Sequence, residues 1–375
     1  MVVVLTTSII ALIIAYFHKM IKIKPLFLSL FALAFVLLTF LQAIHYNYGA
    51  DYMGYYAYYQ SYQGKSLSEL KNLYALGSGA FKDIGWVVLN RLMPGEHGFF
   101  LLVIFISIIE NLIYFKFITT YIEQEHWWKA LAIYLFMTSY YVLNFSALRQ
   151  GLTVSLCVLC VMLSSRGRLK ASLILAAFTI TIHMSAIVII PVLFLSRLRL
   201  KNGKKYGIII FISAIVLFFG NALVGNIFDL VIDKIPILGS HYGHYTEDIA
   251  TDNSLGFGFV LHSVMYLVMI YHVITRFDEY NHEQKVIILL TCISFCIIPF
   301  QLRISGLISR IGYYFSVFQI VSVPMVYSKI HNPLVRYAVW FIYIFMMLYG
   351  YYNFFFVTQW SSESFSEFHT IFSVL

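Results

Sequence analysis

Long apolar stretches recur from end to end of the chain, separated by short polar segments. A helix rises about 1.5 Å per residue and a bilayer's hydrocarbon core is about 30 Å thick, so these stretches predict membrane-spanning helices. They are continuous rather than alternating, which disfavours an outer-membrane barrel. The pattern predicts an all-α, polytopic integral membrane protein with a single transmembrane domain over residues 1–375. Its twelve predicted spans are residues 2–17, 25–45, 98–120, 128–145, 148–165, 171–182, 184–196, 206–225, 257–275, 285–300, 307–327 and 335–357.

One apolar region, residues 171–196, fits either one long span or a hairpin of two short helices that turns near His183. Lys and Arg concentrate on the cytoplasmic side of membrane proteins, so their distribution separates the two alternatives. The hairpin places 17 of the 25 Lys and Arg residues inside, whereas a single span leaves only 11 there. The sequence therefore predicts the hairpin. Each arm reaches only about 20 Å, so the hairpin is re-entrant-like, with its turn inside the outer leaflet.

This topology places both termini outside, together with two loops, residues 45–97 and 226–256. No basic residue precedes the first stretch, and Lys19, Lys22 and Lys24 follow it, which favours a retained span over a cleaved signal peptide. Only 11% of the residues are charged, against about 25% in soluble domains. The net charge of +8 therefore indicates orientation before it indicates nucleic-acid binding.

Arg149 is the only charged residue between Lys129 and Arg166, and it falls at a predicted outward turn. A guanidinium at the bilayer centre costs roughly 3 kcal/mol, and a turn position avoids most of that cost. We therefore expect that Arg149 needs no partner for folding. Contact with lipid headgroups is one interpretation. The polar neighbours Asn144, Ser146 and Gln150 favour the other interpretation, which is substrate binding.

A second cationic pair, Arg303 and Arg310, lies on the predicted outer side. Residues seven apart share one face of a helix, and Tyr313 and Tyr314 follow within one turn of Arg310. Headgroup contact is again an alternative. Planar guanidinium groups bond phosphate oxygens in pairs, so the row also suits a phosphate or diphosphate.

Three further groups carry potential chemistry. His183 titrates near neutral pH inside an apolar hairpin, where it serves either as a structural side chain or as an acid–base group. Glu110 falls within a predicted span and is either protonated or paired with a buried arginine. Asp51 is the acid beside Tyr52 in the first loop.

Tyrosines in the first loop follow a helical spacing: Tyr48, Tyr52, Tyr55, Tyr59 and Tyr62. The stripe predicts either an aromatic belt at the membrane surface or a platform for sugar rings.

Potential metal ligands give only a weak pattern. His241, His244 and Glu247 are three apart in the second loop, but no second pair of ligands accompanies them. Cys157 and Cys160 lie on a hydrophobic helix, where small core residues are the favoured interpretation. The sequence predicts no metal.

Four segments in this order resemble the EpsG family, which includes Wzy-type polysaccharide repeat-unit polymerases. They are YGADYMGYY, NFSALRQGLTVSL, FTITIHMSAIVIIPVLFL and RIGYYFSVFQIVSVP, similar to the family's G-x-D-Y, N-x-x-R-Q, F-x-x-x-x-H-x-S-A and R-x-x-Y-F elements. One position departs from the family pattern, because Asp83 stands where Glu-x-Gly is expected.

The resemblance implies a bacterial inner-membrane glycosyltransferase with a GT-C-like architecture and no cofactor. Such enzymes move a growing glycan from one undecaprenyl diphosphate carrier onto the sugar of another, on the periplasmic side, in O-antigen (lipopolysaccharide), capsule or exopolysaccharide synthesis. The implied partners are the carrier-linked donor and acceptor, membrane lipids, and the pathway's chain-length regulator and flippase, but no nucleic acid. An O-antigen ligase and a non-enzymatic flippase or transporter are the alternatives.

The transfer needs a cationic site for the departing diphosphate and a base for the attacking hydroxyl. Arg149, Arg303 and Arg310 suit the cationic site. His183 or Asp51 suits the base, with His183 preferred. The remaining candidates for substrate binding are Gln150, Tyr313, Tyr52 and Asn144.

Overall fold

The computed structural model describes residues 1–17, 24–66, 69, 83–220, 256–301 and 305–374. Arg303 and the predicted loop 226–256, apart from Gly256, lie outside the described residues.

Nearly all of the described chain is helical. In chain order the helices are α1 (Val2–Phe17), α2 (Lys24–Ile44), α3 (Tyr52–Tyr62), α4 (Ile84–Arg91), α5 (Gly98–Tyr121), α6 (Trp127–Phe136), α7 (Tyr141–Asn144), α8 (Leu148–Ser165), α9 (Leu169–Ile182), α10 (Ile189–Arg197), α11 (Gly203–Phe219), α12 (Phe257–Arg276), α13 (His282–Gln301), α14 (Ser305–Ser316), α15 (Gln319–Lys329), α16 (Pro333–Tyr352) and α17 (Gln359–Ser364). Short 3₁₀ segments occupy Gln124–His126, Met184–Val188, Phe277–Glu279 and Ile371–Ser373, and a π-helical turn occupies Asn353–Val357. Two short strands, β1 (His45–Tyr46) and β2 (His369–Thr370), pair antiparallel.

Four helices of the described chain are both long and apolar enough to cross a bilayer: Gly98–Tyr121, Leu148–Ser165, Phe257–Glu279 and Pro333–Val357. Shorter apolar helices accompany them, and large apolar side chains point outwards; Phe219 is 79% exposed and Phe194 is 71% exposed. Such a surface suits lipid rather than water. The chain is therefore a polytopic helical membrane protein. The count of twelve spans and the GT-C-like arrangement stay predictions.

Two predicted spans are broken, which corrects the sequence analysis. The span 128–145 divides into α6 and α7, and the span 307–327 divides into α14 and α15. The two breaks meet, because the Tyr140 hydroxyl donates a hydrogen bond of 2.5 Å to the carbonyl of Ser316. Irregular backbone is tolerated at membrane depth only where its polar groups are satisfied within the protein. Hydropathy alone cannot reveal such a bond between two distant segments.

The hairpin around His183 is confirmed. Near the C-terminal end of α8, Ser172 Oγ at the start of α9 donates to Cys160 O at 2.8 Å. At the other end of α8, His183 Nε2 lies 3.1 Å from Gln150 Oε1. The chain then returns along α10, until Ser196 Oγ lies 2.7 Å from Ser164 Oγ. The arms therefore run up and down beside α8 and reverse at its N-terminal end.

The first loop is held at this same end of α8 by the C-terminal segment. His45 and Tyr46 pair with Thr370 and His369, and the Gly49 amide donates to Ser364 O at 3.0 Å. Gly49 has a φ of +111°, and a β-carbon there would overlap the side chain of Ser146. Only glycine fits this close approach without strain. The loop therefore leaves β1 with a fixed course towards Asp51.

Helix α8 is the most enclosed of the four long helices. Its spanning segment is 78% buried, whereas that of α16 is only 33% buried. Side chains at the N-terminal end of α8 therefore face protein on most sides, and the candidate site lies there.

Candidate functional site

A cavity of about 560 Å³ lies at the N-terminal end of α8. Six of the candidate residues predicted from sequence line it, and five of these are Asp51, Arg149, Gln150, His183 and Arg310. They come from the first loop, from α8, from the hairpin turn and from α14. Tyr313 lines it as well, beside Tyr55 and Tyr58 from α3. The structure thus brings together polar groups that are up to 262 positions apart in the chain, from Asp51 to Tyr313.

Arg149 is paired, contrary to the expectation that it needs no partner. Its Nη1 lies 2.6 Å from Asp83 Oδ2, and the guanidinium carbon lies 5.3 Å from the centre of the Tyr55 ring. The two charged side chains are 21% and 8% exposed. An isolated charge that is buried to this extent is strongly destabilising. The negative charge of Asp83 therefore explains how the charged Arg149 side chain can remain buried.

Asp83 is the principal site residue that sequence reasoning missed. Its Oδ2 also lies 3.5 Å from His183 Nδ1, and its Oδ1 accepts the Met184 amide at 3.2 Å. Burial opposes ionisation of Asp83, but the contact with His183 and the charge of Arg149 outweigh it and hold the carboxyl pKa below its ordinary value. The carboxylate therefore ties α8 to the hairpin turn.

The available signal for Asp83 was the Asp-x-Gly sequence itself. A β-carbon on Gly85 would overlap Thr181 in the last turn of α9, so the glycine lets α4 approach α9 closely. That approach brings Asp83, the residue just before α4, next to His183. The shorter acid serves here where the family pattern has a glutamate.

His183 interrupts the helical hairpin in an extended conformation, with φ −155° and ψ 120°. Its two ring nitrogens face different partners, Gln150 Oε1 at 3.1 Å and Asp83 Oδ2 at 3.5 Å. Gln150 in turn donates from Nε2 to the backbone carbonyl of Arg310 at 3.2 Å. A continuous line of contacts thus runs from Arg149 through Asp83, His183 and Gln150 to the backbone of Arg310.

Asp51 lines the cavity from the first loop. Its amide donates to Ser146 Oγ at 3.1 Å, which fixes the backbone. Among the described residues, the Asp51 carboxylate accepts no hydrogen bond. The Asp51 side chain is open to solvent at the cavity, but partial desolvation by the surrounding protein raises the pKa of its carboxyl, and the charges of Arg310 and Arg149 oppose part of that shift.

Of the predicted pair of guanidinium groups, Arg303 and Arg310, the described residues include only Arg310. Arg310 and Tyr313 line the cavity, as expected for substrate-binding side chains. Arg303 lies outside the described residues, so the Arg303–Arg310 pair stays a prediction. Tyr314 points elsewhere, with its hydroxyl 2.8 Å from Thr153 Oγ1 and 3.1 Å from Ser185 Oγ.

Two predicted substrate-binding residues lie outside the cavity lining. Tyr52 is fully buried and donates to His45 O at 3.1 Å, and Asn144 is buried beside Gly151 and Glu110. Neither can touch a ligand in the cavity as it stands, so we withdraw them from the candidate set.

The tyrosine stripe faces the protein interior, which corrects both interpretations of it. Tyr52, Tyr55, Tyr59 and Tyr62 are all buried along one face of α3. Tyr59, for example, donates to the carbonyls of Met93 and Gly95 at 2.7 and 2.6 Å. Of the stripe, Tyr55 lines the cavity, so a platform for sugars is reduced to Tyr55 and the two other cavity tyrosines, Tyr58 and Tyr313.

Glu110 is fully buried and pairs with an amide rather than an arginine. Gln42 Nε2 donates to its Oε2 at 2.6 Å, and Gln42 Oε1 accepts from Asn111 Nδ2 at 2.8 Å. Tyr134 completes the set by donating to Asn111 Oδ1 at 3.1 Å. This cluster ties α2, α5 and α6 together below the site.

Two other cavities of the described chain lack a carboxylate among their lining residues, although one of about 580 Å³ at the opposite end is lined by His272, Arg276 and His331. The potential metal ligands His241, His244 and Glu247 lie outside the described residues, and Cys157 and Cys160 are free and buried. A second cavity of about 180 Å³, between α11 and α12, is lined chiefly by apolar and aromatic side chains such as Phe211 and Phe259. It offers no charged group for chemistry.

The sequence model of the EpsG family matches residues 28–368. The chain belongs to the EpsG family. This is a Wzy-type polymerase-like family, and the match includes every lining residue of the cavity. A comparison of the EpsG-family chain with curated proteins and with solved structures finds no match.

Proposed function

We propose that this EpsG-family protein polymerises glycan repeat units carried on undecaprenyl diphosphate. It transfers the growing glycan from one carrier onto the sugar of a second, carrier-linked unit. The products of such a reaction are O-antigen, capsule or exopolysaccharide. The observation that carries the proposal is the cavity in which two guanidinium groups, three tyrosines and a carboxylate without a hydrogen-bond donor among the described residues meet.

The cationic groups suit the leaving group of this reaction. A diphosphate departs with negative charge, and preorganised donors that meet developing charge are among the largest contributors to catalysis. Arg149 and Arg310 both line the cavity, so the charges of both are available to a diphosphate bound there. Their charge provides the neutralisation that a metal ion supplies in other transferases, and the proposed reaction is metal-independent.

The distribution of charge supports a periplasmic position for the cavity in the bacterial inner membrane. The opposite end of the molecule holds Arg166, Arg197, Arg276 and Lys285. Basic residues favour the cytoplasmic side, which leaves the cavity on the outer side, where carrier-linked repeat units are joined.

A deletion strain tests the proposed activity. Loss of the polymerase should leave glycans of one repeat unit on the lipid acceptor, and the wild-type gene should restore the ladder on a gel. Loss of a ligase would instead leave no glycan on the final acceptor. Loss of a flippase would trap carrier-linked repeat units on the cytoplasmic side, and either of these results contradicts the proposal.

Cysteine labelling tests the orientation. The four native cysteines are buried, so the maleimide should label only a new cysteine introduced at the surface. Glu367→Cys, beside β2 at the cavity end, should react with a membrane-impermeant maleimide in intact spheroplasts. Lys204→Cys, in the first turn of α11 at the opposite end, should react only after permeabilisation. The reverse pattern would place the cavity in the cytoplasm.

A further inference from the structure

The hydrogen bonds around Gln150 determine which atom of its amide faces His183. Gln150 Nε2 lies 3.2 Å from the backbone carbonyl of Arg310. A carbonyl oxygen only accepts hydrogen bonds, so the amide nitrogen must be on that side. The Gln150 oxygen therefore faces His183 Nε2, at 3.1 Å.

This arrangement places a proton on His183 Nε2, because the Gln150 oxygen needs a donor. The other ring nitrogen, Nδ1, is buried and faces Asp83 Oδ2 at 3.5 Å. A histidine that removes a proton from a substrate must direct a free nitrogen lone pair towards it. Neither nitrogen of His183 meets this condition in the cavity.

Asp51 meets the condition. Its carboxylate lines the same cavity, accepts no hydrogen bond from the described residues, and lies in the field of Arg149 and Arg310. Its backbone is fixed by Ser146 and by the bond from Gly49 to the C-terminal segment. The backbone of Asp51 is thus fixed, while its carboxylate oxygens accept no hydrogen bond from the described residues.

We propose that Asp51 is the general base of the transfer, and that Asp83, His183 and Gln150 form a frame that positions Arg149 and Arg310. This inference rests on the proposed polymerase function. It replaces the sequence-based preference for His183 as the base.

The acceptor hydroxyl oxygen forms a bond to the anomeric carbon of the growing glycan while its proton passes to Asp51. The bond from that carbon to the diphosphate oxygen breaks, and its electron pair leaves with the carrier diphosphate between the two arginines. Asp51 ends as a neutral acid and later releases its proton to water in the open cavity.

The pH dependence of the rate tests this assignment. The full-length protein is reconstituted in lipid nanodiscs, and the probe is the single-repeat carrier lipid extracted from the deletion strain. The wild-type rate should fall as the pH drops through the pKa of the base. Partial desolvation raises the pKa of Asp51, so the fall should begin at a higher pH than the ordinary pKa of an aspartate would give.

Asp51→Asn should lower the rate by about 10²- to 10⁴-fold and abolish this acidic fall, because the amide cannot accept the proton. Asp51→Glu should keep the fall at a reduced rate, and it serves if the asparagine variant does not accumulate. His183→Gln should lower the rate but preserve the acidic fall, as a positioning residue would. Asp278→Asn, whose acid is 84% exposed at the opposite end of the molecule, is the matched control and should behave as wild type.

The result that overturns the inference is an acidic fall that persists in Asp51→Asn or that disappears only in His183→Gln. A wild-type rate from Asp51→Glu would overturn it as well, because a displaced base should cost activity. Failure of the wild-type protein to lengthen the extracted lipid would instead reject the proposed function itself, together with the inference that rests on it.

Discussion

The two ends of α8 carry similar groups in different settings. Arg149 at its start contacts Asp83 and lies over Tyr55, while Arg166 just past its end contacts Glu283 and lies over Tyr121. The first pair is 21% and 8% exposed, and the second is 39% and 28% exposed. The first pair borders a cavity with a second arginine and an imidazole.

The helix dipole sharpens this difference. A cation is stabilised at the C-terminal end of a helix and destabilised at the N-terminal end. Arg166 therefore occupies a favourable position, whereas Arg149 occupies an unfavourable one and depends on Asp83. A charge kept where both burial and the helix oppose it indicates a functional requirement, and that requirement separates the site from an ordinary surface ion pair.

The largest expected effect is on stability. Asp83→Asn leaves a buried guanidinium without its counter-charge and should lower the free energy of unfolding by about 3 kcal/mol. Glu283→Gln removes the partner of the more exposed arginine and should cost less than about 1 kcal/mol. Unfolding of both variants in detergent micelles measures the difference, and equal losses would mean that the two pairs are equivalent.

The next effect is on turnover. Arg149→Lys keeps the positive charge but loses the planar, two-point contact, and each charge-assisted bond is worth roughly 1.5–3 kcal/mol. It should insert at near-normal levels yet reduce polymerisation at least about tenfold. Arg166→Lys is the matched control at the other end of the same helix and should give normal glycan ladders. Normal ladders from both lysine variants would mean that Arg149 contributes only its positive charge. A normal ladder from Arg149→Ala would mean that Arg149 has no role in the site.

The smallest effect is a dependence of stability on pH. The pKa of Asp83 is lowered in the folded protein, so its contribution is fully present above the pKa that it has when unfolded. The contribution is lost as the pH falls through the lower, folded value. The stability difference between wild type and Asp83→Asn should thus be constant near neutral pH and shrink below about pH 4. A difference that grows on acidification would contradict the lowered pKa.

The sequence predicted the fold where one local property decided it. Charge placement identified the reversal at His183, and hydropathy identified the helical membrane class. Neither could detect that the helix following Lys129 breaks after Phe136, because the break is compensated by the Tyr140 hydroxyl at Ser316 O, 176 positions away. A continuous apolar run looks the same with or without that bond.

The candidate site was predicted in the same uneven way. Arg149, His183 and Gln150 stand out because they interrupt apolar stretches. Asp83 does not, since it lies in a polar loop where acids are common; the glycine two residues later was its one sequence signal, and its pairing with Arg149 reveals its importance. Tyr52 shows the opposite failure, because helical spacing identifies a face of α3 but cannot tell whether that face meets a ligand or the protein core.

The pairing of β1 with β2 also has a consequence for how the protein is made. The segment that carries Asp51 is synthesised more than 300 residues before Ser364, His369 and Thr370, on which its fixed course depends. A nascent chain can therefore insert many of its helices before the course of the proposed base is fixed. The proposed activity requires these later residues to reach the same side of the membrane and dock.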